Sequence, residues 1–341
     1  MARDERDPVA ARSADSEDLY GVADWEVRTA FDRLVYWLYY GFYLTVRVGV
    51  VLAAVAILAA QFVLGGLGAV SNPVLGALTI LSAVPALALA VYVWHADVTT
   101  QEPLHLLVVT FVLGVLFASF AGVLNGEIGD PVRNLASLGG AVPLLGSVVF
   151  FYVVVGPVEE TVKLLAVRLF AFRSDRFDAV VDGAVYGAVA GLGFATIENA
   201  LYITQDADAG LQAARAVTEA GGVAVVRGLA GPGHVIYSAF AGYYLGLAKF
   251  NREHAGPIVL KGLVIAAFVH ATYNTLVGIV PDVVTTLTGV SPLVAFFGFV
   301  VVYDSVFGLL LIRKIRAYAR AYRAANPAPA TYESERTEFE S

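Results

Sequence analysis

Two adjacent glutamates and a lysine, Glu159, Glu160 and Lys163, stand inside an apolar run of this 341-residue chain, where a bilayer should reject them. Three other apolar runs carry similar misfits: Glu198 with Asn199, His234 preceded by Arg227, and His270 with Asn274. An ionisable side chain at mid-bilayer costs about 2.5–3.5 kcal/mol even on lenient insertion scales. Such residues persist when they face one another, or water, inside a helix bundle. They read as one buried polar site.

Helical geometry sharpens that reading. At about 100° per residue Lys163 falls within about 60° of both glutamates, so the three share one face. Neighbouring carboxylates in low dielectric repel, and a carboxylate so placed suits general-base activation of water. One glutamate would satisfy a structural ion pair with Lys163; the second has no such excuse. Asp304 offers Lys163 an alternative partner, since each lies about 10–12 Å from its cytoplasmic helix end. Gly183, Gly187 and Gly191 recur every fourth residue, a stripe that lets another helix approach closely. Glu198 lies almost on that face and points into the bundle. His234–Ser238 and His270–Asn274 both follow an i, i+4 spacing, which places an imidazole beside a hydroxyl or an amide. Two histidines with Glu198 or Glu160 could also form a His₂Glu zinc site with an open position, although no H-E-x-x-H occurs.

The elements that hold these residues follow from composition. The chain is 58% hydrophobic and 15% charged, against roughly 45–50% and 25% for soluble domains, so it is an integral membrane protein. It has no cysteine, which excludes disulfides. A span needs about 20 apolar residues, and eight segments qualify: Tyr43–Leu67, Val74–Trp94, Leu104–Leu124, Val148–Phe170, Ala179–Ile203, Leu229–Phe250, Ile258–Val280 and Pro292–Ile312. The fold class is therefore an all-α polytopic bundle of about eight transmembrane helices. Seventeen Lys and Arg fall in the segments that are cytoplasmic if both termini are inside, and the outer loops keep only Arg133 and Arg215. Residues 1–40 read as an acidic leader with an interfacial helix over Trp25–Tyr43, 41–313 as the membrane domain, and 314–341 as a basic then acidic, disordered tail. The glycine- and proline-rich run from Arg227 to His234 suggests a bent entry to the sixth helix, with Leu211–Gly228 as a short surface helix over the site. By depth, Glu159 is near mid-span while Glu198, His234 and Asn274 lie toward the outer ends, which opens the site to the outer half of the bilayer. Four Lys against eighteen Arg, with acidic ends, would suit a high-salt source and a cell-membrane location.

These motifs resemble those of the PrsW family of intramembrane proteases. Glu159-Glu160-x-x-Lys163 is similar to its first signature. The run from Asp182-Gly183 through Tyr186-Gly187 and Gly191 to Glu198-Asn199 and Tyr202 is similar to the second. Gly233-His234 and His270-x-x-x-Asn274 resemble the third and fourth, and Glu102-Pro103 is also similar. The resemblance covers roughly Tyr92 to Val280. It implies a peptidase cutting membrane-anchored proteins and kinship with glutamate-dependent CAAX prenyl proteases, in which a glutamate activates water. Carried over, Glu159 or Glu160 is the base, His234 and His270 assist, and Asn274 is an oxyanion donor worth about 3 kcal/mol. Lys163, Glu198, Asn199 and Arg227 support them. A divalent metal such as zinc, held by His234, His270 and Glu198, is the accompanying cofactor expectation; the partners are the lipid bilayer and a membrane-anchored substrate, with no nucleic acid. A proton-linked transporter and a non-catalytic scaffold are the competing readings of the same cluster.

Overall fold

In a computed structural model the chain folds as a helical bundle without strands among the described residues, which are 7–13, 18–46, 73–138, 143–205 and 213–326. Helix α1 spans Ala30–Val46, α2 Pro73–His95 and α3 Leu104–Leu138. Helix α4 (Pro143–Phe150) runs through a π turn, Phe151–Val155, into α5 (Gly156–Leu169). Then follow α6 (Val180–Gln205), α7 (Ala213–Phe250), α8 (Ala255–Leu276), α9 (Val280–Thr288) and α10 (Pro292–Ala325). Five stretches of the described residues are long and apolar enough to cross a membrane: Val74–His95, Leu104–Gly129, Val180–Ile203, Arg252–Thr288 and Pro292–Ala325. The polytopic helical bundle is thus as expected. Most of the first expected span, Tyr43–Leu67, lies outside the described residues.

The centre is the pair α6 and α7, with α2 and α3 packed on α6, α8 and α10 on α7, and α5 reaching across to α3, α6, α7 and α8. The glycine stripe explains the pairing. A methyl group on Gly183, Gly187 or Gly191 would collide with the carbonyl oxygens of Gly242, Ser238 and His234 respectively. Only bare backbone allows that approach. The seam ends at His234, a site residue, so the same packing that holds the bundle fixes one wall of the site.

Three details depart from expectation. The run Arg227–His234 does not loosen the entry: Pro232 lies inside a continuous α7, and Leu211–Gly228 is not a separate surface helix but, from Ala213, the first turns of α7. At 1.5 Å per residue α7 is about 57 Å and α3 about 52 Å long, well beyond the roughly 30 Å hydrocarbon core. Such length keeps Pro232 inside two flanking helical stretches that satisfy its neighbours. Trp25 is not a headgroup-level anchor. It is 2% exposed, edge-on to His254, with its backbone N–H donated to Asn251 Oδ1 at 3.2 Å. Trp37, at 76% exposed, does face outward. The N-terminal segment also docks on the bundle: buried Asp7 accepts from Tyr318 of α10 at 2.6 Å and from the Val180 N–H at 3.1 Å. This places the N-terminal segment and the basic end of α10 at the same end of the molecule.

Candidate active site

The π turn Phe151–Val155 directly precedes Gly156-Pro157 and the Glu159–Lys163 motif. A π turn widens the helix by one residue and commonly accompanies functional sites; here it sets the angular phase at which both glutamates enter the bundle. Glu159, Glu160 and Lys163 are 5%, 0% and 1% exposed. They share one face, as the spacing predicts.

Glu160 is the hub. Its Oε1 accepts from Lys163 Nζ at 2.7 Å and pairs with His270 Nδ1 at 2.9 Å, while Oε2 accepts from Ser238 Oγ at 3.4 Å. Lys163 reaches further: Nζ donates to His234 Nδ1 at 2.9 Å, lies 3.7 Å from Glu159 Oε2 and sits 4.1 Å from the Phe194 ring centre. An ammonium has no lone pair to offer. His234 Nδ1 is therefore the acceptor, and its Nε2–H donates to Glu198 Oε2 at 2.8 Å. Glu198 is also held by Arg227, whose Nε donates to Asn199 Oδ1 at 3.0 Å; Asn199 in turn donates to Ser82 Oγ of α2 at 3.0 Å. The alternative pairing of Lys163 with Asp304 is not formed. Asp304 Oδ1 is buried without a hydrogen-bond partner, and Lys163 is taken by Glu160 and His234.

Glu159 stands apart. Its Oε1 accepts from Asn125 Nδ2 of α3 at 3.0 Å, yet Oε2 is buried with no hydrogen-bond partner, 3.8 Å from His270 Nε2. The two imidazoles are edge-on, with centroids 5.1 Å apart, and Tyr237 stacks on His270 at 5.2 Å. A cavity of about 890 Å³ opens beside these groups, lined among others by Asn125, Glu159, Glu198, Arg227, His234 and His270. Asn274, one turn beyond His270 on α8, lines the same cavity. The structure thus gathers Glu159, Glu160, Lys163, Glu198, Asn199, Arg227, His234, His270 and Asn274 into one region. It adds Asn125 and Tyr237, which sequence reasoning missed, and gives Phe194, part of the second family-like run, a contact with Lys163. Asn125 left a signal, as an amide at the end of an apolar run.

Ligand atoms of Glu159, His234 and His270 all lie within 4.8 Å of one another. That grouping contains Glu159 where the sequence reading placed Glu198. A carboxylate and two imidazoles make up the donor set of open catalytic zinc sites. The orphaned Glu159 Oε2 fits it too, since a buried oxygen without a donor is what a cation would satisfy. Behind the triad, Glu160 on His270 Nδ1 is the carboxylate–histidine arrangement that fixes a ligand's tautomer.

Comparison with known proteins points the same way. A family description, PrsW family intramembrane metalloprotease, matches residues 102–305. Protease PrsW of Shouchella clausii is 28% identical over 197 residues, 58% of this chain and 81% of the relative. Protease PrsW of Bacillus subtilis is 30% identical over 192 residues, 56% and 78% respectively. That of Geobacillus kaustophilus is 29% identical over 199 residues, 56% and 76%. These relatives give no support to a high-salt source. No solved structure matches the chain.

Proposed function

The chain belongs to the PrsW family of intramembrane metalloproteases and is a membrane peptidase; from that premise we propose that Glu159 activates the water that cuts a membrane-anchored protein. The transporter and scaffold readings fall away with the family. The observation that carries the proposal is Glu159 Oε2, buried, partnerless and facing His270 across a cavity. Glu160 is too thoroughly engaged, by Lys163, His270 and Ser238, to serve as the base. It is the positioning carboxylate.

His234 and His270 would hold a divalent ion of the zinc class, His234 by giving up a hydrogen bond to Lys163 or Glu198, and would leave Glu159 free as the base; the ion would supply, when bound, an acidified water and a polarised carbonyl. The chain's own groups do the rest. Glu159 accepts the proton of the attacking water and returns it to the leaving amine. Glu160 and Lys163 lock the two imidazoles in their tautomers through Nδ1. Asn274 donates its amide to the oxyanion that forms at the scissile carbon. Glu198, clamped by Arg227, braces His234 from the far side. The apolar part of the cavity wall, including Leu201, Val226 and Phe296, suits an extended substrate segment entering from the bilayer. With both termini inside, that entrance faces the outer half of the membrane.

The test uses a single-span reporter cleaved by the wild-type chain in the same cells. Glu159→Gln abolishes cleavage at unchanged protein level; survival of cleavage overturns the assignment. Zinc content decides the ion: stoichiometric zinc lost in His270→Ala supports it, and full activity after exhaustive chelation removes it.

A further inference from the structure

A second set of carboxylates lies at the opposite end of α6. Asp97, in the turn after α2, Glu102, just before α3, and Asp182, in the first turn of α6, bring ligand oxygens within 4.8 Å of one another. Glu102 is 3% exposed and Asp182 fully buried. Asp182 and Glu198 share α6 about 24 Å apart at 1.5 Å per residue, so this cluster is separate from the active site.

Most oxygens of the cluster have local donors. Thr99 gives its N–H and hydroxyl to Asp97 Oδ1 at 2.8 and 2.7 Å. Asp182 Oδ2 accepts the N–H groups of Asp178 and Ala179 at 2.7 and 2.8 Å, capping α6, and Oδ1 takes the Thr99 hydroxyl at 3.4 Å. Tyr186 donates to Glu102 Oε2. Two oxygens remain: Glu102 Oε1 and Asp97 Oδ2 are buried without any hydrogen-bond partner. The nearby cations are engaged elsewhere, Lys249 by the carbonyls of Phe172 and Ser174, Arg176 by that of Gln101. Orphaned buried carboxylate oxygens are costly. Two of them, on two of the three residues of one cluster, mark the place of a missing positive charge.

We propose that Asp97, Glu102 and Asp182 form a second cation site, selective for a hard divalent ion of the calcium type. Oxygen-only donors exclude the soft metals that imidazole or thiolate would favour. Ligand oxygens that all lie within 4.8 Å of one another can share one ion, and three protein carboxylates suit calcium better than magnesium, which usually binds through one or two. The ion would join the α2–α3 turn to the start of α6, the helix that carries both the glycine seam and Glu198. It is a brace, independent of the peptidase chemistry.

The experiment uses the purified full chain in detergent, stripped with chelator and titrated with calcium, magnesium and terbium. Calcium is expected to raise the melting temperature, and terbium to luminesce through energy transfer from Tyr186, whose hydroxyl touches Glu102, with calcium displacing it. Asp97→Asn and Glu102→Gln should each weaken calcium binding about tenfold or more, while Glu159→Gln leaves it unchanged. Should Glu102→Gln fail to fold, Asp97→Asn alone carries the test. An unresponsive wild type, or an Asp97→Asn variant with wild-type calcium affinity, overturns the proposal.

Discussion

Each end of α6 gathers three carboxylates, and the two groups are neutralised in opposite ways. Around Glu159, Glu160 and Glu198 the chain supplies its own counter-charges, with Lys163 and Arg227 at bonding distance and two imidazoles between. Around Asp97, Glu102 and Asp182 it supplies only neutral donors, Thr99, Tyr186 and backbone N–H groups. Built-in cations leave one oxygen free at the first cluster, on Glu159, where a substrate or a catalytic ion must come and go. Neutral donors leave two free at the second, which suits an ion that stays. Under the two proposals, the difference separates a site that works from one that holds.

The largest effect that would sharpen this contrast is on catalysis. Glu159→Gln should lower cleavage about 10²–10⁴-fold, read on the reporter, with the calcium-dependent melting shift intact. Next comes Lys163→Met, which strands Glu160 in a buried site. Breaking one partner of such a pair costs about 3–5 kcal/mol, and denaturant or thermal unfolding in detergent should register it with or without calcium. Smaller is Gly187→Val, whose side chain meets the Ser238 carbonyl in mid-seam. Overpacking of that kind costs about 1–3 kcal/mol; cleavage and the calcium response should fall together, since the seam serves both ends.

The smallest is a pH slope. Burial pushes the Glu102 carboxyl up to about 8, against the lowering hydrogen bond from Tyr186, with Asp97 and Asp178 adding repulsion and Arg176 opposing it. The folded chain therefore holds that proton more tightly than the unfolded one. Its contribution to stability is complete below the ordinary carboxylate range and is lost as pH rises through about 8. In chelator, the wild-type melting temperature should decline over roughly pH 5 to 8.5. Glu102→Gln should flatten the decline, and so should calcium on the wild type. A slope unchanged by Glu102→Gln would erase the contrast between the two ends.

Much of the active site was legible because a polar residue in an apolar run is an energetic anomaly whatever the fold. Glu159, Glu160 and Lys163 announced a shared face by spacing alone, and the glycine stripe announced the α6–α7 contact. What spacing cannot give is distance between helices. That Lys163 meets His234 rather than Asp304, and that Glu159 rather than Glu198 completes the triad, depends on how α5 is rotated by its π turn. The second cluster was legible only in part: Glu102 and Asp182 stood in family-like motifs, but their meeting with Asp97 did not show. Asp97 and Glu102 flank a turn and Asp182 starts a helix, where carboxylates are ordinary; only their meeting is unusual. Pro232 misled because a proline reads as a break locally, whereas a long packed helix tolerates it.

The glycine seam has a consequence for the cell that houses the chain. A hydrated, charged hollow in an energised membrane is a hazard, because a water thread through it would carry protons down the gradient. Backbone lies directly on backbone from Gly183 to Gly191, about two and a half helical turns with no room for a solvent molecule between α6 and α7. That seam closes the α6–α7 path from the cavity toward the opposite end of the bundle, so water beside the glutamates has no route along it.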